Sequence, residues 1–446
     1  MADLPQSAYP QQLKRALTPR DLLVYGMIFM VPISPFSIYG FVAQDAHGMV
    51  VLAYLVGMIG MLFTALSYAA MSEAYPMAGS VYAYAQRGLH VTAGFLSGWL
   101  ILLDYILAPA LLYILSAVAL RSIWPSVPAW AWMLAFILFN AAINWRGIAF
   151  TARANRYLLT FELFTLLVFV VAGLITLYHG QGAGHLTWRP LYDPPQFSVA
   201  TVLSATSIAV LSFLGFDGIS TLSEEVEGGR SAVGKATVQA LVLIGAMFMV
   251  QTWIAADLAQ GMHIDSVDSA FYEISGRAGG LWLKRLVLSA VAISSGIANA
   301  MAAQAAVSRI LFAMARDGQL PAVLARIHPR FHTPYTSTLL VTLVSALTSL
   351  AFIDRVEDLS RLVNFGALCS FLVLHVAVIN HHFIRQRSGR WFRHLLCPLL
   401  GLLVIGYVLL AMDATAKRLG LIWITLGLAY YGALTLWLKR SARLEL

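Results

Sequence analysis

Apolar runs of about 20 residues recur along almost the whole chain, each long enough at 1.5 Å per residue to cross a hydrocarbon core of roughly 30 Å. About twelve can be placed, at residues 22–44, 49–72, 93–119, 128–145, 157–178, 199–222, 237–259, 286–315, 338–353, 362–384, 395–412 and 420–438. In hydrocarbon every backbone N–H and C=O must find a partner within the protein, which leaves only helices and closed barrels. These runs are continuous rather than alternating at a period of two, so they are helices. The expected fold class is an all-α polytopic membrane protein with about 12 transmembrane helices. Composition agrees, because 59% of the residues are hydrophobic and only 11% charged. A soluble domain with a solvated surface carries about 25% charged residues.

The same residues narrow the function classes. The first 20 are polar and basic, with no apolar core or small-residue cleavage site, so no removed signal peptide is expected. Cys369 and Cys397 both fall inside spans, where a thiol acts as a small apolar filler, and no disulfide framework is read. The net charge of +8 is scattered through short loops rather than gathered on a basic domain, which argues against nucleic acid. With the N-terminus inside, the inner segments hold about 20 of the 29 Lys and Arg residues, among them Lys14, Arg230 and Lys439. That bias places both termini in the cytoplasm and the chain in the cell inner membrane, with tails at residues 1–21 and 439–446.

Two spans are interrupted at mid-membrane. The first carries Pro32-Ile33-Ser34-Pro35, and two prolines three residues apart remove backbone donors and forbid a regular helix. The sixth carries Gly215-Phe216-Asp217-Gly218 at a similar depth. The breaks lie five spans apart, and an odd offset inverts the second half relative to the first. That pattern points to an inverted-repeat transporter with its site at the midplane. An ordinary proline kink accounts for either break alone, but less well for both.

Three carboxylates lie well inside spans: Asp104 in the third, Glu162 in the fifth and Asp217 in the sixth. Each costs about 2.5 to 3.5 kcal/mol at a helix centre, so each calls for a partner or a function. No Lys or Arg is comparably deep; Arg309 is expected to snorkel from the end of the eighth span to water. An acidic interior suits a cationic substrate or a transported proton. Asp217, in the broken stretch, is placed to bind an ammonium group, the alternative being a protonated carboxyl bonded to a neighbouring helix. Asp104 beside Tyr105 combines ion pairing with an aromatic face, unless it only anchors helix packing. Glu162 is a candidate carrier of a coupling proton. His375 in the tenth span titrates near neutral pH in its ordinary form, and is either a coupling group or a packing residue. Glu224 and Glu225, at the end of the sixth span, either gate through nearby arginines or form a solvated cap. Ser294-Ser295 offers hydroxyls to a sodium ion, although adjacent serines more often permit close packing. No metal-ligand spacing and no nucleophile–base pair at matched depth is present, so no cofactor and no enzyme activity are expected.

Several strings resemble the amino acid-polyamine-organocation permease superfamily over roughly residues 20–440. Tyr75-Pro-Met-Ala-Gly79-Ser-Val-Tyr82-Ala-Tyr84 is similar to its aromatic-Pro-x-x-Gly-x-x-Tyr signature. Ser308-Arg309 through Arg316-Asp317-Gly318-Gln-Leu-Pro321 is similar to its Arg-Asp-Gly-x-x-Pro segment. Within the superfamily, Leu102-Leu-Asp104-Tyr105, Ser212 through Glu225 and Leu362 through Gly366 most resemble putrescine importers. The resemblance implies two inverted five-helix repeats, residues 22–180 and 199–384, followed by two further helices at 395–438. It implies a proton-coupled importer of a small cationic amine, putrescine first, working by alternating access. Asp217 and Asp104 would hold ammonium groups, with Tyr105, Ser34, Phe36, Phe213 and Phe216 around the substrate.

One departure bears on the substrate. Amino acid carriers of this superfamily bind the substrate carboxylate on a glycine-rich first break, whereas here two prolines lack the N–H donors such a site needs. Gln304 also stands where the putrescine importers lead one to expect histidine. An amino acid permease or exchanger of the same fold is the alternative, and a receptor built on that fold is a further one. The exact amine, the coupling ion and the oligomeric state stay open.

Overall fold

The computed structural model describes residues 15–146, 148–227, 231–353, 355–412 and 414–436, so Lys14, Arg230, the C-terminal tail and most of the N-terminal one lie outside the described residues. The first span is two helices. α1 (Pro19–Met30) starts on a capping box in which the Thr18 side chain accepts the Asp21 N–H while Asp21 bonds back to Thr18. It ends at Val31, where the backbone turns to a φ of 57°, and α2 (Pro35–Asp45) continues at an angle of 54° to it. Pro32 and Pro35 are the physical cause, since neither can donate to the helix ladder.

α3 (Val50–Ala74) is followed by the short α4 (Ser80–Gly88), by α5 (Val91–Ile123) with Pro109 inside it, by α6 (Ala129–Trp145) and by α7 (Ile148–Tyr178). The sixth span is broken as well. α8 (Val199–Ala209) passes into a 3₁₀ turn at Val210–Phe213, and a second 3₁₀ segment runs Phe216–Leu222. Gly215 between them has a φ of 109°, and a Cβ there would lie 2.7 Å from the Phe29 carbonyl oxygen. Only glycine satisfies both demands, and it lets the two broken spans touch.

α9 (Ala232–Ala259) packs along α3. α10 (Ala270–Ile293), kinked at Gly280, continues through a π turn at Ser294–Asn299 into α11 (Ala300–Arg316). The helix begins well before residue 286, where hydropathy falls at Lys284 and Arg285; Gly280, with a φ of 73°, separates the early segment. α12 (Tyr335–Phe352), α13 (Val356–Val378), α14 (Cys397–Ala411) and α15 (Ala414–Leu436) complete the chain, with π turns at Ile379–Arg385 and Phe392–Leu396. Among the described residues, each of the twelve apolar runs is therefore helical apart from the breaks in the first and sixth. Nine helices among the described residues, or ten with the bent pair, are long and apolar enough to cross a membrane. α6, with 17 residues, and α15, with Lys417 and Arg418 near its start, fall outside that set. The chain is an all-α polytopic membrane protein.

Candidate functional site

The two breaks and α5 enclose a cavity of about 210 Å³. The first break gives Val31, Ile33 and Ser34, the sixth-span break gives Ser212, Leu214 and Gly215, and α5 gives Asp104 and Tyr105. Ser295 and Asn299 enter from the π turn, and Asn364 from α13. The lining runs along α5 from Asp104 to Leu115, about 16 Å of helix, and so extends away from the end where α1 and α5 begin. α13 comes close enough to α5 for Asn364 to reach the cavity because Gly366 has no side chain; a Cβ there would lie 2.6 Å from the Leu100 carbonyl oxygen.

At the inner end one carboxyl group lines the cavity and a second is bonded to the phenol beside it. Asp104 lines the cavity directly. Asp217 is buried behind Tyr105, whose hydroxyl donates to Asp217 Oδ2. Asp217 Oδ1 is buried with no hydrogen-bond partner among the described residues. The Phe29 ring stacks against Tyr105 with centroids 5.9 Å apart. The end of the cavity thus combines carboxyl oxygens with aromatic faces, the pairing that can hold an ammonium by charge-assisted hydrogen bonds and cation-π attraction.

The other side of the site is tied shut. Arg309 reaches Glu225 through Nε to Oε1 and through Nη2 to Oε2 at 3.1 Å, and its Nη1 donates to the Ala305 carbonyl at 2.7 Å. Both side chains are buried, at 4% and 2% exposure, so Arg309 does not snorkel and Glu225 is no solvated cap. A buried partner removes the reason for the arginine to reach for water. The Glu225 carbonyl also accepts the N–H groups of Ala16 and Leu17 at 3.0 Å each, which pins the approach to α1 across the end of the sixth span. Glu224 pairs with Arg316 Nη2 at 2.9 Å and accepts the Ala78 N–H at 2.9 Å. Tyr25, on α1, donates its hydroxyl to the Ala302 carbonyl at 2.6 Å.

Residues 22–427 match the family model described as amino acid permease. The chain belongs to that family. It is 31% identical over 437 residues to the low-affinity putrescine importer PlaP of Escherichia coli (strain K12), spanning 95% of this chain and 94% of that one. It is 26% identical over 450 residues to the branched-chain amino acid permease BcaP of Bacillus subtilis (strain 168), spanning 94% and 93%. It is also 26% identical over 454 residues to the methylthioribose transporter of the same strain, again spanning 94% and 93%. The resemblance to amino acid-polyamine-organocation permeases and their putrescine importers agrees with these matches.

In this permease the two motif strings meet in space. Tyr82 of the first donates to Asp317 of the second at 2.5 Å, while the Glu224–Arg316 pair bridges both to the sixth span. Other residues named from the sequence sit elsewhere. Phe36 packs against Phe271 and Phe169, Phe213 against Phe248 and Phe216 against Tyr68; none of the three lines the cavity. Phe29 takes the place expected of them, because the turn at Val31 aims α1, not α2, at Tyr105. The signal lay in Gly215 and Gly218, three residues apart, which mark a bulky neighbour opposite.

Glu162 on α7 accepts a hydrogen bond of 2.5 Å from Ser294 of the π turn, and its Oε2 is buried without a partner among the described residues. Ser295, the residue next to Ser294, lines the cavity, whereas Ser294 and Glu162 do not. His375 lies apart, between Thr64 Oγ1 at 3.2 Å and Ser67 Oγ at 2.9 Å on α3. Gln304 accepts from Asn144 at 2.8 Å and donates to Thr342 at 2.8 Å, in a bridge outside the cavity.

Proposed function

We propose that this permease imports a di- or polyamine, putrescine first, coupled to protons and by alternating access across the inner membrane with both termini inside. The observation that carries the reading is that Asp104 lines the cavity beside Tyr105, whose hydroxyl is bonded to the buried Asp217, while the rest of the lining is uncharged. The first break supports an amine without a carboxylate. Pro32 and Pro35 have no N–H, and those of Ser34, Phe36 and Ser37 close local turns onto Val31, Ile33 and Ser34 carbonyls at 2.9–3.1 Å. Few donors are left for an anion. The putrescine importer of Escherichia coli, similar over almost its whole length, points the same way.

Import follows from charge, since a cation entering a negative interior gains about 2.3 kcal/mol per charge per 100 mV. Contact between the two breaks, five spans apart, supports two inverted repeats at residues 22–180 and 199–384 with the site between them. Glu162 is the proposed proton carrier, beside Ser294. The Arg309–Glu225 and Arg316–Glu224 pairs are the proposed inner gate, which must part when the site faces inward. The second reading is an amino acid permease, favoured by the branched-chain permease among the relatives. Uptake of labelled putrescine into proteoliposomes, challenged with unlabelled diamines and amino acids, separates the two. Competition by amino acids alone would favour the second.

A further inference from the structure

Away from the cavity, Arg385, Arg387, Arg390 and Arg393 stand within nine residues between α13 and α14. Arg385 is committed to the backbone, donating to the Leu89 carbonyl at 2.7 Å. Arg390 and Arg393 instead rim a pocket of about 320 Å³ between the end of α3 and the two π turns, with Tyr75, His381, His382 and His394 on its walls. Arg393 Nη2 donates to Glu73 Oε2 at 3.1 Å, which leaves most of its five N–H donors unspent. The Arg390 backbone N–H donates to Ser388 Oγ at 3.3 Å, and its guanidinium meets no acceptor among the described residues. Against the two arginines stands one carboxylate, Glu73, so the pocket is electropositive before any histidine is counted.

The histidines are held in place. His382 and His394 stack with centroids 4.3 Å apart, His394 Nδ1 lies 2.8 Å from Ser388 Oγ and His381 Nδ1 lies 3.2 Å from the Tyr75 hydroxyl. Trp391 and Phe392, between the two arginines, are 60% and 57% exposed. Exposed aromatic residues at the end of a span mark the level of the lipid headgroups. A built pocket with unspent guanidinium donors at that level fits a phosphate carried on a lipid.

We propose that this pocket holds the phosphate group of an anionic phospholipid. Arg390 and Arg393 take its oxygens, the histidine wall closes around it and Trp391 and Phe392 pack on the acyl region. The site is independent of the transport cavity and of which membrane face it occupies.

The test titrates the purified full-length protein in mild detergent with phosphatidylglycerol, cardiolipin, phosphatidylcholine or inorganic phosphate. Bound lipid is read by native mass spectrometry and stabilisation by Tm. The two anionic lipids are expected to bind and raise Tm, whereas phosphatidylcholine and inorganic phosphate are not. Arg390→Gln, which breaks no side-chain hydrogen bond among the described residues, is expected to weaken binding about fivefold, and Arg390→Gln with Arg393→Gln by a further factor of about five. Equal binding of phosphatidylcholine, unchanged affinity in Arg390→Gln, or a Tm rise of the same size from inorganic phosphate would each overturn the proposal.

Discussion

Tyr105 and Asp217, 112 residues apart in the chain, meet behind the closed end of the cavity, where the phenol donates to one carboxylate oxygen and the other has no partner among the described residues. α5 supplies the phenol, and the broken sixth span supplies an acid that a continuous helix would have turned elsewhere. One oxygen is fixed by the phenol, so the acid is oriented before substrate arrives.

Tyr105→Phe keeps the ring against Phe29 and removes that donor. A hydrogen bond to a charged acceptor is worth about 1.5–3 kcal/mol, and one oriented acid remains in Asp104, so KM for putrescine should rise about tenfold with less change in maximal rate. A KM within twofold of wild type would mean that the phenol does not position Asp217.

The Arg309–Glu225 pair is buried, and removing one partner of such a pair leaves an uncompensated charge at about 3–5 kcal/mol. Arg309→Gln and Glu225→Gln should each lower Tm clearly in detergent, and the double variant should lose less than the sum. Additive losses would show that the two side chains act separately.

Gly215→Ala puts a Cβ on a left-handed backbone, at about 1–2 kcal/mol, and against the Phe29 carbonyl 2.7 Å away. A lower Tm is expected, and Phe29→Leu should rescue it at most in part, because the ring Cδ2 lies 2.9 Å from that Cβ but the carbonyl oxygen is nearer still and the φ of 109° remains. Full rescue by the smaller side chain would place the crowding in the ring instead.

Much of this architecture was readable from the chain. Pro32, Pro35, Gly215 and Gly218 announce the two breaks, and the insertion cost of Asp104 and Asp217 marks them as needing a role. Phe29 was not readable, because which aromatic residue meets Tyr105 depends on the angle at Val31. The burial of Arg309 was hidden for a similar reason: its partner is 84 residues away, and hydropathy weighs each charge as if alone. α4 escaped notice because nine residues of mixed polarity carry no spanning signal. The π turn that brings Ser295 and Asn299 to the cavity leaves no mark in hydrophobic periodicity.

Glu162 and His375 are separated by their surroundings. Glu162→Gln should flatten the pH dependence of uptake, since among the described residues its hydrogen bond is to Ser294, the neighbour of a residue that lines the cavity. His375→Gln should lower Tm, through loss of Thr64 and Ser67, and leave the pH profile unchanged. A shifted profile in the histidine variant, with none in Glu162→Gln, would transfer the coupling role to α13.

The central claim is that the Asp217 carboxylate holds a substrate ammonium. Its most direct test is initial uptake of labelled putrescine into proteoliposomes, wild type against Asp217→Asn at equal reconstitution, with an imposed proton gradient. Replacing the charge should cut uptake by more than about tenfold while leaving Tm close to wild type, as expected of an isosteric change at a charge-assisted contact. Uptake at the wild-type rate in Asp217→Asn would contradict the account.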